Sequence, residues 1–386
     1  MNCKISKKCG GCKYIQTSYE EQLEIKKNYC IKLLQKEKLN QVQVKNTTGQ
    51  NEPYAYRNKI IVAFNQKYEY GLYQEGSHTI VPYEHCLLHD EVSDKIIKKI
   101  QTLFKKYRVS IYDEKRGKGF IRHILIRRAI KNDQTMVVLV CNEDVFKGSK
   151  NFCSELIKSF PSIKTVVMNI NKRKTSVVLG QQEKVLYGKG FIVDELCGLQ
   201  FKISPSSFYQ INHEQCVKLY EHAIDLLQLK GHETILDTYC GIGTIGMVAA
   251  KKAKKVIGVE INKNAIQDAI NNARMNKINN ISFVCEDASE FMKNQANQKQ
   301  KIDVVIMDPP RAGSTKVFMD AIKVLKPKKV VYISCDPTTQ VRDLSYFKKI
   351  GYHFDTLYPY DMFPQTEHCE TVCLLSKLNV DHHIEV

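Results

Sequence analysis

The chain has 386 residues, 58 Lys+Arg against 41 Asp+Glu, and a formal net charge of +17 at pH 7. That length has room for two or three domains with full cores, and no apolar run approaches the roughly 20 residues that a membrane-spanning helix requires. No apolar leader follows Met1-Asn2-Cys3-Lys4, so the 14 cysteines read as thiolate or metal chemistry in a cytoplasmic protein, not as a secreted disulfide framework.

The charge is uneven. Residues 1–200 hold 35 Lys+Arg against 20 Asp+Glu, and residues 201–386 hold 23 against 21. The first half is therefore expected to hold a polyanion, with nucleic acid the natural partner, although solvated lysines alone give the same balance.

Residues 1–15 are Cys/Gly/Lys-rich and irregular. Ser18 followed by Glu21 makes a capping box and opens a predicted helix to about Leu39, with Leu23, Tyr29, Cys30, Leu33 and Leu34 near one face. Pro53 breaks the chain. Short alternating runs from Tyr54 to Pro82, such as Ile60-Ile61-Val62-Ala63-Phe64, predict strands. A helix at 91–107 and strands at 119–130, 135–141, 164–170 and 175–179 complete an α+β portion, 1–200.

Beyond residue 213 the rhythm changes. A helix over 213–228 leads to strands at 234–237, 255–260, 281–285, 304–307 and 329–333, with helices at 243–253, 262–276 and 315–325 between them. Such alternation predicts a Rossmann-like α/β domain over 201–386, a doubly wound, mostly parallel sheet with ligands at the carboxyl ends of its strands.

The first of these strands runs into Asp237-Thr238-Tyr239-Cys240-Gly241-Ile242-Gly243-Thr244-Ile245-Gly246. The glycines permit a tight turn and close backbone approach to a ligand. A nicotinamide dinucleotide fits such a loop. Asp237 favours S-adenosylmethionine, because a carboxylate attracts a sulfonium and an amino group but repels a pyrophosphate. Glu260 ends the next strand, placed to accept bonds from ribose hydroxyls. Asp287, after the third strand, faces the adenine or the amino end; either acid also suits plain solvent exposure.

Asp308-Pro309-Pro310-Arg311 ends the fourth strand in a rigid, carbonyl-rich turn. Cys335, in Val331-Tyr332-Ile333-Ser334-Cys335-Asp336, ends the fifth. A lone cysteine is more often a packing residue. A thiolate here would add to C6 of a uracil and make C5 nucleophilic. Release then needs a base for the C5 proton. Glu370, at the entry of the apolar run Thr371–Leu375, fits that part if partly desolvated, with Glu367 and His368 as rivals and a solvated strand-end carboxylate as the plain alternative.

These residues resemble the RNA uracil-C5 methyltransferases, which make 5-methyluridine in rRNA or tRNA. The resemblance covers nearly the whole chain. It is sharpest at Asp308-Pro309-Pro310-Arg311, Ser334-Cys335-Asp336 and Asp361-Met362-Phe363-Pro364-Gln365-Thr366 leading to Glu370. Tyr56-Arg57-Asn58-Lys59 and Ser204–Asn212 are also similar. The resemblance implies Cys335 as nucleophile and Glu370 as proton acceptor, and implies S-adenosylmethionine held by Gln210, Tyr239, Thr244, Glu260, Asp287 and Asp308. It further implies that Cys3, Cys9, Cys12 and Cys86 ligate a [4Fe-4S] cluster in the first domain; a Cys₄ zinc site is the physical rival.

Many relatives begin with a TRAM-type β-barrel. Here the cysteine motif starts at residue 3, so the expectation is a branch without that module, acting on 23S rRNA, with a tRNA T-loop uridine as the other candidate. RNA capture then falls to the basic first domain, for example Arg116, Lys118, Arg122, Arg127 and Arg128, with Tyr112 or Phe120 available for stacking. The resemblance hints that Arg122-His123 lies near the flipped base. The expected partner is RNA, not DNA or a membrane, and a monomer is the default. A non-catalytic RNA-binding protein and a nicotinamide oxidoreductase are the rival classes; neither requires both Cys335 and Glu370.

Overall fold

The computed structural model describes residues 3–377. They form two compact units, each assembled from several stretches. The first takes the chain up to Gln16, Glu52–Glu195 and Phe201–His213. The second takes Thr17–Asn51, Leu196–Gln200 and everything from Glu214. A division into 1–200 and 201–386 therefore misplaces the front helix, Tyr19–Lys36. Cys30 and Leu34 on that helix, with Leu39 and Val42 after it, are part of the second unit's core. Position along the chain could not reveal this, because burial is decided by packing.

The first unit is a seven-stranded sheet. Its order is Ile80–Pro82, Tyr70–Tyr73, Lys59–Phe64, Ile121–Ala129, Gln134–Cys141, Ile163–Ile170, Gln182–Gly188. Neighbours are antiparallel except Gln134–Cys141 with Ile163–Ile170. The helices Glu91–Lys106 and Ser149–Ser159 supply Ile96, Ile97, Ile100, Phe104 and Phe152 to its core. The strand expected at 175–179 is a loop. Asn171 donates its side-chain amide to the carbonyls of Val177 and Val178 at 2.8 and 2.9 Å, which gives that backbone partners outside any ladder. The next strand starts at Gln182 instead.

The second unit follows the predicted α/β rhythm. Thr234–Thr238 lies at the centre of five parallel strands, with Lys255–Glu260 and Ile281–Cys285 on one side and Val304–Met307 and Lys329–Ser334 on the other. Strand order reverses between Thr234–Thr238 and Val304–Met307, which is where open α/β sheets bind ligands. The last strand, Glu370–Lys377, runs antiparallel to Lys329–Ser334. It therefore begins at the edge where the parallel strands end. Thr356–Tyr360 pairs on its far side. Among the described residues no helix is long and apolar enough to cross a membrane.

On the front helix, Ser18 accepts the Glu21 amide at 3.2 Å, as the capping box requires. The buried stripe differs from the apolar one. Gln22, Lys26, Cys30 and Leu34 are inside, whereas Tyr29 is 41% exposed. The spacing of four puts the stripe on one face, but its first two members are polar, so hydrophobicity alone points to the wrong side.

Candidate active site

The ligand edge of the second unit gathers three expected acids, Asp237, Asp308 and Glu260. Asp237 ends the central strand and is 1% exposed. Its Oδ2 is buried without a hydrogen-bond partner. Burial first, then the neighbouring charges of Asp308 and Glu260, hold its carboxyl well above the usual range. Asp308 follows Val304–Met307, and burial pushes it up to about 7. Glu260 accepts the Gly241 and Asn262 amides at 3.2 and 2.8 Å, which stiffens the glycine turn. A Cβ on Gly246 would lie 2.5 Å from Asp237 Oδ2, so the helix Thr244–Ala250 approaches this carboxylate as closely as only glycine allows. A dry group of acids with an orphaned oxygen is costly unless a cation joins it. The sulfonium and amino groups of S-adenosylmethionine fit this need; a pyrophosphate does not.

Tyr239 carries the loop away from Asp237 at φ 62°, a left-handed backbone in a non-glycine residue, and its ring packs 5.9 Å from Phe318. The Thr244 hydroxyl is hydrogen-bonded to Tyr220 at 3.1 Å. Asp287 caps the helix Ala288–Asn297, accepting the Ser289 and Glu290 amides at 2.9 and 3.1 Å, a structural task for that carboxylate. Gln210 belongs to the first unit, where it is buried and its carbonyl accepts the Asn58 side chain at 2.8 Å.

Cys335 and Glu370 are brought together by register. Lys329–Ser334 and the last strand are matched with Ser334 opposite Thr371, so the next step sets Cys335 opposite Glu370. Directly opposed residues of antiparallel strands point to the same face. Gln340 locks this end: it donates to the Tyr332 carbonyl at 2.9 Å and accepts the Thr371 hydroxyl at 2.7 Å. Glu370 is 3% exposed, with Oε2 unpartnered. Burial and the charge of Asp308 raise its carboxyl well above the usual range, and Arg311 opposes them. Burial, with Glu370 and Asp308, pushes the Cys335 thiol up to about 11, again with Arg311 opposing.

The turn bearing Arg311 is fastened by Asp343. This residue, 1% exposed, accepts the Ser314 amide and the Tyr332 hydroxyl, both at 2.7 Å. The sequence reading missed Asp343 because its partners are 11 and 29 residues away. It also missed Gln22 and Lys26, whose period-four spacing with Cys30 was the available signal.

In the first unit, Cys3, Cys9, Cys12 and Cys86 line one cavity of about 40 Å³ together with Arg57 and His89. Burial raises the Cys9 and Cys12 thiols, and the other cysteines of the set raise them further. Cys86 lies below its usual value, because the His89 hydrogen bond overcomes its burial; His89 in turn meets Asp94 at 2.9 Å. Among the described residues no three His, Cys, Asp or Glu side chains converge tightly enough to hold a single metal ion.

Several expected RNA contacts are structural instead. Arg122 donates to the Asn171 and Arg173 carbonyls at 2.8 and 2.6 Å and covers Tyr112. Arg127 is buried and donates to the Ser207 carbonyl at 2.7 Å. Arg128 is buried, with Asp133 at 3.1 Å, and Phe120 is core. The whole strand Ile121–Ala129 is inside, and its arginines tie it to other segments of the unit. Arg116 remains exposed.

Fold and site together define a Rossmann-like, S-adenosylmethionine-dependent RNA methyltransferase. Residues 18–378 match the family model for tRNA (uracil-5-)-methyltransferases, and the chain belongs to that family. It is 41% identical over 379 residues, 97% of the chain, to an uncharacterised RNA methyltransferase of Staphylococcus aureus strain MSSA476, covering 83% of that protein. A Clostridium tetani RNA methyltransferase, also uncharacterised, is 39% identical over 377 residues, 97% of this chain and 82% of its own length. The crystal structure of Pyrococcus abyssi tRNA (uracil-54, C5)-methyltransferase with S-adenosyl-L-homocysteine is similar at a TM-score of 0.79 and 28% identity, over 93% of this chain and 83% of that one.

Proposed function

We propose that this protein forms 5-methyluridine in 23S rRNA, with Cys335 as nucleophile and Glu370 as proton acceptor. The observation that carries this reading is a thiol and a buried, orphaned carboxylate flanking the last matched pair, Ser334 with Thr371, close enough for the carboxylate to oppose ionisation of the thiol. S-adenosylmethionine, when bound, would supply an electrophilic methyl group; Asp237, Tyr239, Thr244, Glu260 and Asp308 of the second unit would hold it, with Asp287 shaping the loop. Cys335 Sγ bonds to C6 of the uracil after losing its proton, which makes C5 nucleophilic enough to take that methyl. Glu370 accepts the C5 proton, for which its raised carboxyl is suited. The S–C6 bond then breaks and frees the thiolate, and the proton taken by Glu370 passes to solvent or back to the sulfur.

The basic balance of residues 1–200 supports an RNA substrate, and the resemblance of the front cysteines to cluster-bearing relatives favours rRNA. A tRNA uridine is the second reading, favoured by the similarity to the Pyrococcus abyssi enzyme. We also assign a [4Fe-4S] cluster to Cys3, Cys9, Cys12 and Cys86. Four thiols around one cavity match the one thiolate per iron that such a cluster takes, and the resemblance of the front cysteines to cluster-bearing relatives supports this choice over zinc.

RNA containing 5-fluorouridine should trap a covalent adduct, since fluorine at C5 cannot leave as a proton. Cys335→Ala should abolish the adduct, and its survival would refute the nucleophile. Presenting 23S rRNA and tRNA fragments separately identifies the target by which of them is trapped.

A further inference from the structure

The carboxylate of Glu370 has an Oε2 that nothing holds, and its backbone is paired opposite Tyr360, the residue before Asp361, so its direction depends on how the Asp361–Cys369 chain is held. That chain, Asp361–Cys369, is fastened from the front helix. Lys26 and Asp361 form an ion pair that is 1% and 0% exposed, and Lys26 Nζ also donates to the Phe363 carbonyl at 3.2 Å. One turn earlier, Gln22 Nε2 donates to Gln365 Oε1 while Gln22 Oε1 accepts the Gln365 amide, both at 3.0 Å. Gln365 is held at φ 70°, a left-handed backbone that a non-glycine residue keeps only when its surroundings impose it. One turn later, Cys30 shares the buried core with Cys369, the residue before Glu370.

Stability gives little reason for this arrangement. A buried ion pair is commonly matched or bettered by apolar residues of similar size, whereas it does dictate a unique geometry. An apolar stripe would dock the helix as firmly but leave the turn free to slide. We propose that the front helix is a positioning element for the proton-transfer step: Gln22 and Lys26 fix the Asp361–Gln365 turn and thereby aim the Glu370 carboxylate. This rests on the reading of Glu370 as proton acceptor.

The test replaces the pair by apolar residues, Lys26→Met with Asp361→Leu, and follows the RNA adduct in single turnover. Thermal unfolding and S-adenosylmethionine binding should stay near those of the parent. The adduct should form but resolve up to about a hundredfold more slowly, the scale expected of a misplaced catalytic group. In a Glu370→Gln background the same pair should change adduct lifetime little, because both act on one step. Parent-like resolution, or an equal further slowing in the Glu370→Gln background, overturns the inference. If the apolar pair fails to fold, Gln22→Met, which keeps the ion pair, is measured in its place by the same criteria. Ordinary turnover by Glu370→Gln alone overturns the acceptor reading and this inference with it; a slow Glu370→Gln beside a fast Lys26→Met/Asp361→Leu overturns only the inference.

Discussion

Cys335 combines a thiol raised to about 11 with a task that requires the thiolate. In the unliganded enzyme, its alkylation by iodoacetamide should therefore accelerate about tenfold per pH unit up to about pH 11. Peptide mass spectrometry reads this directly, and a plateau below pH 9 would contradict the local electrostatics. Asp237 shows the same acids from the side of stability. Its folded carboxyl is raised, so the folded state binds the proton more tightly than the unfolded chain does. The associated stability is complete below the unfolded value near 4 and is lost as pH rises towards the folded value. Asp237→Asn should thus raise the melting temperature by roughly 2–4 °C at pH 8, lose that gain below pH 4, and bind S-adenosylmethionine poorly. Both residues stood out in the sequence, since each ends an apolar run. The shift of each did not, because it depends on burial and on Asp308, which is distant from both in the chain.

At the scale of elements, the parallel strands and their helices were legible because apolar runs of four to six residues alternate with helical periods. The front helix shows where that logic stops: its cap was readable in Ser18 and Glu21, its buried face was not. The helix Thr244–Ala250 gives a test of close approach. Alanine normally stabilises a helix interior by about 1 kcal/mol relative to glycine. At Gly246 the added Cβ meets Asp237 Oδ2 at 2.5 Å. Gly246→Ala should instead lower stability by about 1–3 kcal/mol, measured by denaturant unfolding, and weaken methyl-donor binding.

At the scale of the molecule, the excess charge of residues 1–200 has a thermodynamic consequence. RNA affinity should fall steeply with salt, by counterion release, while S-adenosylmethionine affinity changes little. Equal salt slopes for the two ligands would remove the charge argument. Anaerobically purified protein should carry about four irons per chain, the content of a [4Fe-4S] cluster; stoichiometric zinc would overturn that assignment.

The sequence alone determined the alternating α/β order, the glycine loop, the strand-end acids and the two motifs that bear Cys335 and Glu370. All of these are local, written in residue type and short spacing. Tertiary structure alone decided that Thr17–Asn51 folds with the catalytic unit, that Gln22 and Lys26 are inside, that Asp343 ties down the Arg311 turn, and that most of the conspicuous arginines on Ile121–Ala129 serve the fold. Each of those is a matter of which distant residue supplies a partner. A buried polar group is stable only where its partner is, and no short window of sequence contains both.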